Sequence, residues 1–326
     1  MGEIIVSCPR SPEDSSMRDA VGLALVELGG VDEGMVVVTA DVAHSTRATF
    51  FAERYPERFV NVGIAEQDLV CFAAGLALAG KKPYALAFSM FMMRAWEQIR
   101  NTIDRMNLDV RLIATHSGFS DHADGESHQS LEDIALMRSL HNMTVIVPAD
   151  APQAYNAVKA MHRWRGPVYF RIGRDYSPRV TSIDTPFHPG RLQLLREGSD
   201  AAIVSCGPLL AHSLKAAEML RHNYSLDIAV ANMHTVKPVD AEGLEKLARE
   251  TGLLFVVEEH GRRGGVYGAV TETLAERYPA PVHPITAKGY GRSARSVQDL
   301  YTLHDLTPEA IARRILEVVM EWRRRA

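Results

Sequence analysis

One acidic residue, Glu66, opens a stretch that otherwise has the pattern of an apolar helix. It stands in residues 61–68, NVGIAEQD, and residues 69–79 are almost all small or apolar. The structural interpretation is an acid in the first helical turn, where the helix dipole favours negative charge. The functional interpretation is a carboxyl held against a buried helix, where loss of water raises its pKa.

A second group of reactive side chains lies in residues 116–129, HSGFSDHADGESHQ, which hold three histidines and three acids. Their spacing fits no zinc signature, so a metal site is not favoured. A charged substrate rich in hydroxyl groups would suit this loop. An ordinary polar loop without a ligand would have the same composition, and the segment alone does not decide between them.

Aromatic and cationic residues follow other predicted strands. Phe88 and Phe91 lie where a strand ends and a helix begins, and they suit either core packing or a platform for a cofactor ring. Arg18, Arg171 and Arg174 become informative only if the fold places them beside an anion.

Strands and helices alternate along the chain to position these residues. This alternation predicts βαβ crossovers and mainly parallel sheets, which is an α/β fold. The predicted strands are residues 35–40, 83–87, 110–114, 144–147, 168–172, 201–205, 227–231, 253–257 and 282–285. The predicted helices include residues 18–28, 65–79, 90–106, 152–163, 211–222, 240–251 and 308–322.

Ligands of open α/β sheets bind beyond the carboxyl ends of strands. That rule singles out residues 41–46, 88–91, 116–129 and 171–175, which include most of the reactive residues. We therefore expect these four segments to meet.

A domain boundary is predicted within residues 177–199. The segment contains several prolines and glycines and has no sustained helical or strand period. We predict two consecutive α/β domains, residues 1–185 and residues 186–326, each a mainly parallel sheet flanked by helices.

Composition argues against several classes of function. A net charge of -4 argues against nucleic acid or an anionic membrane as the main partner, and no apolar run is long enough to span a bilayer. Cys8, Cys71 and Cys206 form no Cys-x-x-Cys pair, as in a reducing compartment. The first residues, including Glu3 and Arg10, lack the pattern of a signal peptide. We expect a cytoplasmic protein.

Together these segments resemble the pyrimidine-binding domain of transketolases. The most specific motifs are GIAE at residues 63–66 and DGxxHQ at residues 124–129. The second half resembles the transketolase C-terminal domain, notably in VVEEH at residues 256–260 and GG at residues 264–265. The resemblance covers nearly the whole chain and implies two α/β domains of these kinds.

The resemblance implies thiamine diphosphate as the cofactor. Glu66 matches the catalytic glutamate that hydrogen-bonds a ring nitrogen of the aminopyrimidine and favours its imino tautomer. Phe91 matches the ring that stacks on the aminopyrimidine, Phe88 lies beside it, and Asp41 matches an acid on the cofactor side. Arg94 stands where many transketolases carry a tyrosine near the same ring.

The resemblance also implies a groove for sugars. His128 matches a catalytic histidine at the first carbons of the substrate, and Asp124 matches an acid that contacts a substrate hydroxyl. Four residues match the group that holds the substrate phosphate: Arg18, Ser45, His116 and Arg174. Residues 120–123 depart from the glycine and glutamate usual before the matched aspartate, so the specific sugar stays open, and a sulfonate can replace the phosphate.

Family members bind the diphosphate and a divalent cation through a Gly-Asp-Gly motif and an asparagine further along. No Gly-Asp-Gly occurs in this sequence. The resemblance therefore implies a split enzyme, in which an N-terminal transketolase subunit supplies that domain and holds most of the Mg²⁺ or Ca²⁺ site. We expect self-association as well, to an α₂β₂ particle. The implied reaction moves a two-carbon ketol unit from a ketose to an aldose.

Three alternatives remain at this stage. The chain could be the β subunit of a 2-oxo-acid dehydrogenase, although that enzyme has little use for four phosphate-directed residues. It could be half of a deoxyxylulose-phosphate synthase, because RAWEQ at residues 94–98 is similar to that family. A non-catalytic assembly subunit would have no need of Glu66, Phe91 and His128.

Overall fold

The computed structural model of the chain describes residues 8–9, 11–13 and 15–325. Glu3 and Arg10, on which part of the expected location rests, lie outside these residues. Across the described residues, no helix combines the length and the apolar character needed to cross a membrane.

Strands and helices alternate through the described residues. The strands are β1 Met35–Thr39, β2 Phe59–Asn61, β3 Lys82–Phe88, β4 Arg111–Thr115, β5 Thr144–Ile146, β6 Val168–Arg171, β7 Gln193–Arg196, β8 Ala201–Ser205, β9 Ile228–Asn232, β10 Thr235–Lys237, β11 Leu254–Gly261 and β12 Val282–Ala287. The helices are α1 Met17–Gly29, α2 Ala43–Thr46, α3 Ala48–Arg54, α4 Glu66–Leu78, α5 Ser89–Arg94, α6 Trp96–Gln98, α7 Asp133–Arg138, α8 Ala151–Met161, α9 Leu209–Tyr224, α10 Ala241–Thr251, α11 Val266–Arg277, α12 Val297–Leu303 and α13 Pro308–Arg325.

The strands form two sheets, which confirms the predicted α/β fold. The first sheet has the order β10-β5-β6-β4-β3-β1-β2 and is parallel except for β10, which pairs antiparallel with β5. The second has the order β12-β11-β8-β9-β7 and is parallel except for the edge strand β7. Strand β10 lies beyond the predicted boundary, so the second half of the chain contributes one strand to the first sheet. The domain limits 1–185 and 186–326 stay a prediction.

The first sheet brings the reactive segments together. Strands β6, β4, β3 and β1 are consecutive neighbours, all parallel. Their carboxyl ends therefore lie at one edge, and the segments that leave these strands meet there. These are the four segments that the sequence pattern singles out.

Helices cover both faces of the first sheet. Helices α1 and α8 pack on one face, where Leu25 shares a core with Val37. On the other face Leu69 of α4 packs with Val38. That second core also includes Val256 of β11, so the apolar interior runs continuously from one half of the chain into the other.

All nine strands predicted from the sequence are present in the structure, but the prediction omits β2, β7 and β10. Two of these three have only three residues, too few to show a strand period. Strand β7 lies inside the segment assigned to the boundary.

The predicted helix over residues 90–106 is wrong as one helix. The chain leaves helical geometry at Ala95, where φ is -99° and ψ is 15°, and it continues as a π-helical turn over Ile99–Asp104. No proline or glycine lies in residues 90–106, so the sequence carries none of the usual signals for this break.

Candidate active site

The side chain of Asn61 organises the backbone around Glu66. Its Oδ1 accepts hydrogen bonds from the amides of Asp41, at 2.9 Å, and Gly63, at 3.0 Å. Its Nδ2 donates to Oδ1 of Asp41 at 3.2 Å. Asp41 has a φ of 60°, in the left-handed region. Asn61 therefore fixes the segment after β1 against the segment that leads into Glu66, a role that the sequence analysis missed.

Glu66 is the first residue of α4 and is 7% exposed. Its carboxylate accepts no hydrogen bond from the part of the chain that the structure describes. A carboxylate that loses water without gaining a partner is costly, and a donor from a ligand would offset that cost. The site therefore fits a ring nitrogen that can share a proton with Glu66.

Four rings form a continuous row beside this position. Phe88 stacks on His116 with ring centroids 3.6 Å apart, and on Phe91 at 5.0 Å. Phe91 meets His128 edge to face at 5.5 Å. The row thus links the two phenylalanines expected at the cofactor to the two histidines expected at the substrate.

Arg18 draws together three of the four residues expected to hold a phosphate. Its Nε donates to the carbonyl oxygen of Arg174 and its Nη1 to that of Ser45, each at 2.6 Å. Arg18 is placed by α1, whose first turn is fixed by a capping box between Ser16 and Asp19. Arg18 is 8% exposed, and these two hydrogen bonds hold its guanidinium at the edge of the sheet.

His116 lies in a positive field. Burial, reinforced by the charges of Arg18, Arg174 and Arg47, lowers the pKa of His116 to about 2. Burial and the neighbouring Arg47 lower the pKa of Arg18 to about 10, so Arg18 remains charged at neutral pH. The pocket is therefore built from a neutral imidazole among guanidinium cations, a combination that suits a bound anion.

Two residues of this pocket are not among the sequence-predicted ones. Arg47, which pairs with Asp19 at 2.6 Å, follows the predicted segment 41–46 by one residue. Asp121 is completely buried and accepts a hydrogen bond from Nη1 of Arg174 at 2.9 Å, while its Oδ2 has no partner among the described residues. Burial and the charge of Asp124 raise the pKa of Asp121. The only sequence signal for Asp121 is its position in the loop that departs from the family pattern.

The remaining predicted residues occupy two kinds of position. Asp124 is exposed and His128 half-buried on the loop that follows β4, close enough for Asp124 to interact with Asp121. Arg94 is exposed at the end of α5 and forms no hydrogen bond or ion pair with a described residue. The described residues contain no group of three or more His, Cys, Asp and Glu side chains arranged to hold a metal ion.

Arg171 does not face the pocket. It forms a buried ion pair with Asp133. Its Nε donates to Asp133 at 2.8 Å, and its Nη2 donates to the carbonyl oxygens of Glu259, at 2.9 Å, and Ser130, at 3.3 Å. The hydroxyl of Tyr169 also donates to Asp133. This cluster attaches the loop that bears Asp124 and His128 to strand β11.

Glu259 supports the beginning of the same loop. Its Oε1 accepts a hydrogen bond from the amide of Phe119 at 3.1 Å. Gly118 has a φ of 60°, and a Cβ there would overlap the Glu259 carboxylate, so this position requires glycine. Burial raises the pKa of Glu259 to about 7.

Comparison with known proteins gives a family for both halves of the chain. Residues 13–178 match the transketolase pyrimidine-binding domain, and residues 190–311 match the transketolase C-terminal domain. The transketolase C-terminal section of Methanocaldococcus jannaschii is 37% identical over 92% of this chain and 95% of its own length. One subunit of the apulose-4-phosphate transketolase of Phocaeicola vulgatus is 34% identical over 98% of this chain and 99% of its own length.

Other relatives extend the comparison. A subunit of the 6-deoxy-6-sulfo-D-fructose transketolase of a Clostridium species is 32% identical over 94% of this chain and 95% of its own length. Among solved structures, a split-gene transketolase described as an inactive β4 tetramer is 42% identical, with a TM-score of 0.85, and the match covers 94% of this chain and 98% of that one. Transketolase of Leishmania mexicana, at 21% identity and a TM-score of 0.79 over 46% of its length, supports the fold alone.

Replacing Glu259 with glutamine should change how stability depends on pH. The carboxyl has a pKa of about 7 in the folded chain and an ordinary value of 4.5. As pH rises from 4.5 to 7 the unfolded chain ionises first, so the wild type loses stability, by about 3 kcal/mol in total, and the loss levels off above pH 7. The variant lacks this loss. The free energy of unfolding of the variant, measured by urea titrations at pH 5 to 8, should therefore increase relative to that of the wild type as pH rises.

The matched control is Glu272→Gln, because the Glu272 side chain is exposed and paired with Arg138 at the surface. The difference in the free energy of unfolding between this control and the wild type should stay nearly constant from pH 5 to 8. Parallel curves for wild type and Glu259→Gln would contradict the role assigned to the buried carboxyl.

Proposed function

This chain belongs to the transketolase family and is a subunit of a two-carbon ketol transferase, and we propose that a second polypeptide carrying the diphosphate-binding domain completes its active site. The chain matches the split relatives over 95–99% of their lengths. It spans about half, 50%, of the deoxyxylulose-phosphate synthase of Caldanaerobacter subterraneus, at 31% identity. The absence of Gly-Asp-Gly from this sequence supports the proposal that the diphosphate-binding domain lies on the second polypeptide.

Glu66 is the residue that carries the proposal for the cofactor. Thiamine diphosphate supplies the electron sink for breaking a carbon–carbon bond next to a ketone. The buried carboxyl of Glu66, which no described residue satisfies, fits the ring nitrogen of the aminopyrimidine and would hold or return a proton at that atom. Phe91 would stack on the ring and Phe88 would support it from behind. Asp41 lies on the same edge, and Arg94 would approach from the outer side.

The partner subunit would hold the diphosphate and most of the ligands of Mg²⁺ or Ca²⁺. Hard divalent cations need several oxygen ligands at fixed distances, and the family supplies them through the diphosphate domain. In this arrangement the chain described here binds the aminopyrimidine and the sugar, so neither polypeptide has a complete site.

The sugar would lie along the row of rings. His128, edge to face with Phe91, is placed to hydrogen-bond the oxygens at the first carbons of the substrate and to move protons there. Asp124, four residues before His128 in the chain, is exposed and would accept a hydrogen bond from a substrate hydroxyl. Both roles are proposals from the family match of residues 124–129.

The distal anion of the substrate would bind at Arg18, Ser45, His116 and Arg174. The field of Arg18, Arg174 and Arg47 around a neutral His116 supports this assignment. Relatives of this chain act on a sugar phosphate, apulose 4-phosphate, and on a sulfonated sugar, 6-deoxy-6-sulfo-D-fructose. We propose a sugar phosphate for this chain, with the sulfonate as the alternative that competition would reveal. The same field disfavours a dehydrogenase of pyruvate or branched-chain 2-oxo acids, since these substrates carry no distal anion to occupy it.

One face of α4 supports self-association of the chain through its first half. The exposed residues of this helix include Phe72, 39% exposed, and Leu78, 62% exposed, and Ile64, 83% exposed, lies just before its first residue. Cys71 and Gly75 are also exposed on α4. An exposed apolar surface of this kind marks a protein interface. We propose that a second copy of the chain covers it, giving an α₂β₂ particle with the partner.

The first test of this function is Glu66→Gln in the complex with the partner subunit. Glutamine keeps the size and the hydrogen bond but cannot share a proton, so ketol transfer should fall at least about 100-fold on every substrate. The chain alone should show no transfer, and the wild-type complex should show it. Glu57→Gln, at an exposed acid, is the control and should keep wild-type rates. Near-normal turnover of Glu66→Gln would remove its catalytic role, and transfer of an acyl group from a 2-oxo acid to lipoyl by the wild-type complex would favour the dehydrogenase.

The second test is Arg174→Ala, measured with two donor substrates. It removes a charge-assisted contact to a distal anion, which corresponds to about 10- to 150-fold in kcat/KM for sugar phosphates. Hydroxypyruvate has no distal phosphate and should be used at close to the wild-type rate. Arg179→Ala, at an arginine paired with Glu13 at the surface, should affect neither substrate. Equal losses on both substrates would contradict the phosphate role.

The third test is Phe72→Glu, which places a charge on the apolar face of α4. Light scattering of the purified wild-type chain should give a mass above that of a monomer, and the variant should shift toward the monomer because a buried unpaired charge opposes association. Leu303→Glu is the matched control, since Leu303 is 43% exposed on α12 and lies away from α4. It should leave the mass unchanged. A wild-type chain that is monomeric at every concentration would refute the proposed interface.

A further inference from the structure

A segment from the second half of the chain lies directly on the loop that carries the substrate residues. We call residues 288–296 the roof loop and residues 121–129 the substrate loop. The amide of Ala294 donates to the carbonyl oxygen of His122 at 2.8 Å. The Nε2 of Gln129 donates to the carbonyl oxygen of Arg292 at 3.1 Å. The two loops are therefore hydrogen-bonded near both ends of the substrate loop.

Glycines in each loop allow this close approach. A Cβ on Gly291 would overlap Oε1 of Gln129, so the roof loop packs against that side chain with no room for even a methyl group. A Cβ on Gly125 would lie 2.7 Å from Oγ of Ser293. Gln129 is completely buried, and its Nε2 also lies 3.5 Å from the carbonyl oxygen of Asp121. Gln129 thus bridges the roof loop and the far end of its own loop.

The roof loop is anchored to the second half of the chain on its other side. The amide of Lys288 donates to Nδ1 of His304 at 3.1 Å, and the Lys288 ammonium pairs with Asp305. The ring of His304 stacks on Phe119 at 4.5 Å. The roof loop is therefore fixed to the end of α12, and through Phe119 to the segment that follows His116.

The substrate loop has little regular structure of its own to fix its position. It contains one short 3₁₀ turn, Glu126–His128, and the exposed Asp124 stands between that turn and Asp121. The position of Asp124 and His128 must then depend on what packs against the loop. A displacement of about 1 Å of a substrate-positioning group can cost about 100-fold in rate.

We propose that the roof loop, acting through Gln129, is a positioning element that sets where Asp124 and His128 meet the sugar and so contributes to the choice of substrate. This inference rests on the proposed function, because it assumes that Asp124 and His128 contact the sugar. It assigns the second half of the chain a direct part in the sugar groove, and it makes Gln129 a positioning residue.

Gly291→Ala tests the proposal without a backbone penalty, since Gly291 has no positive φ. Its methyl group forces Gln129 aside and breaks the Gln129–Arg292 hydrogen bond. Gln129→Met removes the same bond from the other side while keeping the size. In the complex with the partner subunit, each variant should lower kcat/KM for the sugar substrates by about 10- to 100-fold. The ratio of kcat/KM for two epimeric aldose acceptors should change as well, while the concentration of thiamine diphosphate for half-activation should not.

Two controls separate a loss of positioning by the roof loop from a general loss of structure. Arg295→Ala, at an exposed residue of the roof loop with no hydrogen bond or ion pair to a described residue, should match the wild type. The double variant Gly291→Ala with Gln129→Met should lose little more than either single variant, because both remove one link. Additive losses, or an unchanged acceptor ratio in both single variants, would overturn the proposal.

Amide hydrogen exchange on the isolated chain distinguishes failure of this inference from failure of the proposed function. Residues 122–129 should exchange faster in Gly291→Ala than in the wild type, and residues of β3 should not. Unchanged exchange at residues 122–129 would refute the coupling of the two loops even if the enzyme is a transketolase. Faster exchange together with a wild-type complex that does not transfer ketol units would instead place the error in the proposed function.

Discussion

The buried ion pair between Arg171 and Asp133 joins several segments of the chain at one point. Arg171 ends β6, Asp133 begins α7, and the remaining donors of the guanidinium reach the backbone of Ser130 and Glu259. Both charges are almost completely removed from water, so each charge replaces the solvation that the other has lost. Removing one partner of such a pair typically costs about 3–5 kcal/mol, because the other charge is left buried alone. The residues on either side of the substrate loop are therefore attached to strand β11, Phe119 before it through Glu259 and Ser130 after it through Arg171.

Some buried polar atoms at this edge of the sheet have no partner among the described residues. The Oδ2 atom of Asp121 is one of these, and the Glu66 carboxylate likewise accepts no hydrogen bond there. Natural cores satisfy nearly all such atoms, so these two acids mark a region that stability alone does not explain. Polar groups positioned in advance of their ligand have this cost, because the same group cannot be both satisfied internally and available to bind.

The sequence is informative wherever a local pattern dictates the structure. Largely apolar stretches such as residues 84–88 of β3 and 112–114 of β4 are what a strand buried on both faces requires, and the rule for the ends of parallel strands then places Phe88 and His116 at one edge. Asn61, Arg47 and Asp121 escape detection for a different reason. Each acts through a partner distant in sequence, and nothing in the neighbouring residues of any of them indicates that partner. The roof loop is the extreme case, since the residues that it contacts lie more than 150 positions earlier.

Strand β10 bears on where a gene of this kind can be divided. Its pairing with β5 means that a polypeptide ending at the predicted boundary would leave β5 as the outermost strand of the first sheet, with its backbone groups unpaired. Such an edge is a template for aggregation with other chains. Dividing this polypeptide between its two halves would therefore expose that edge of the first sheet.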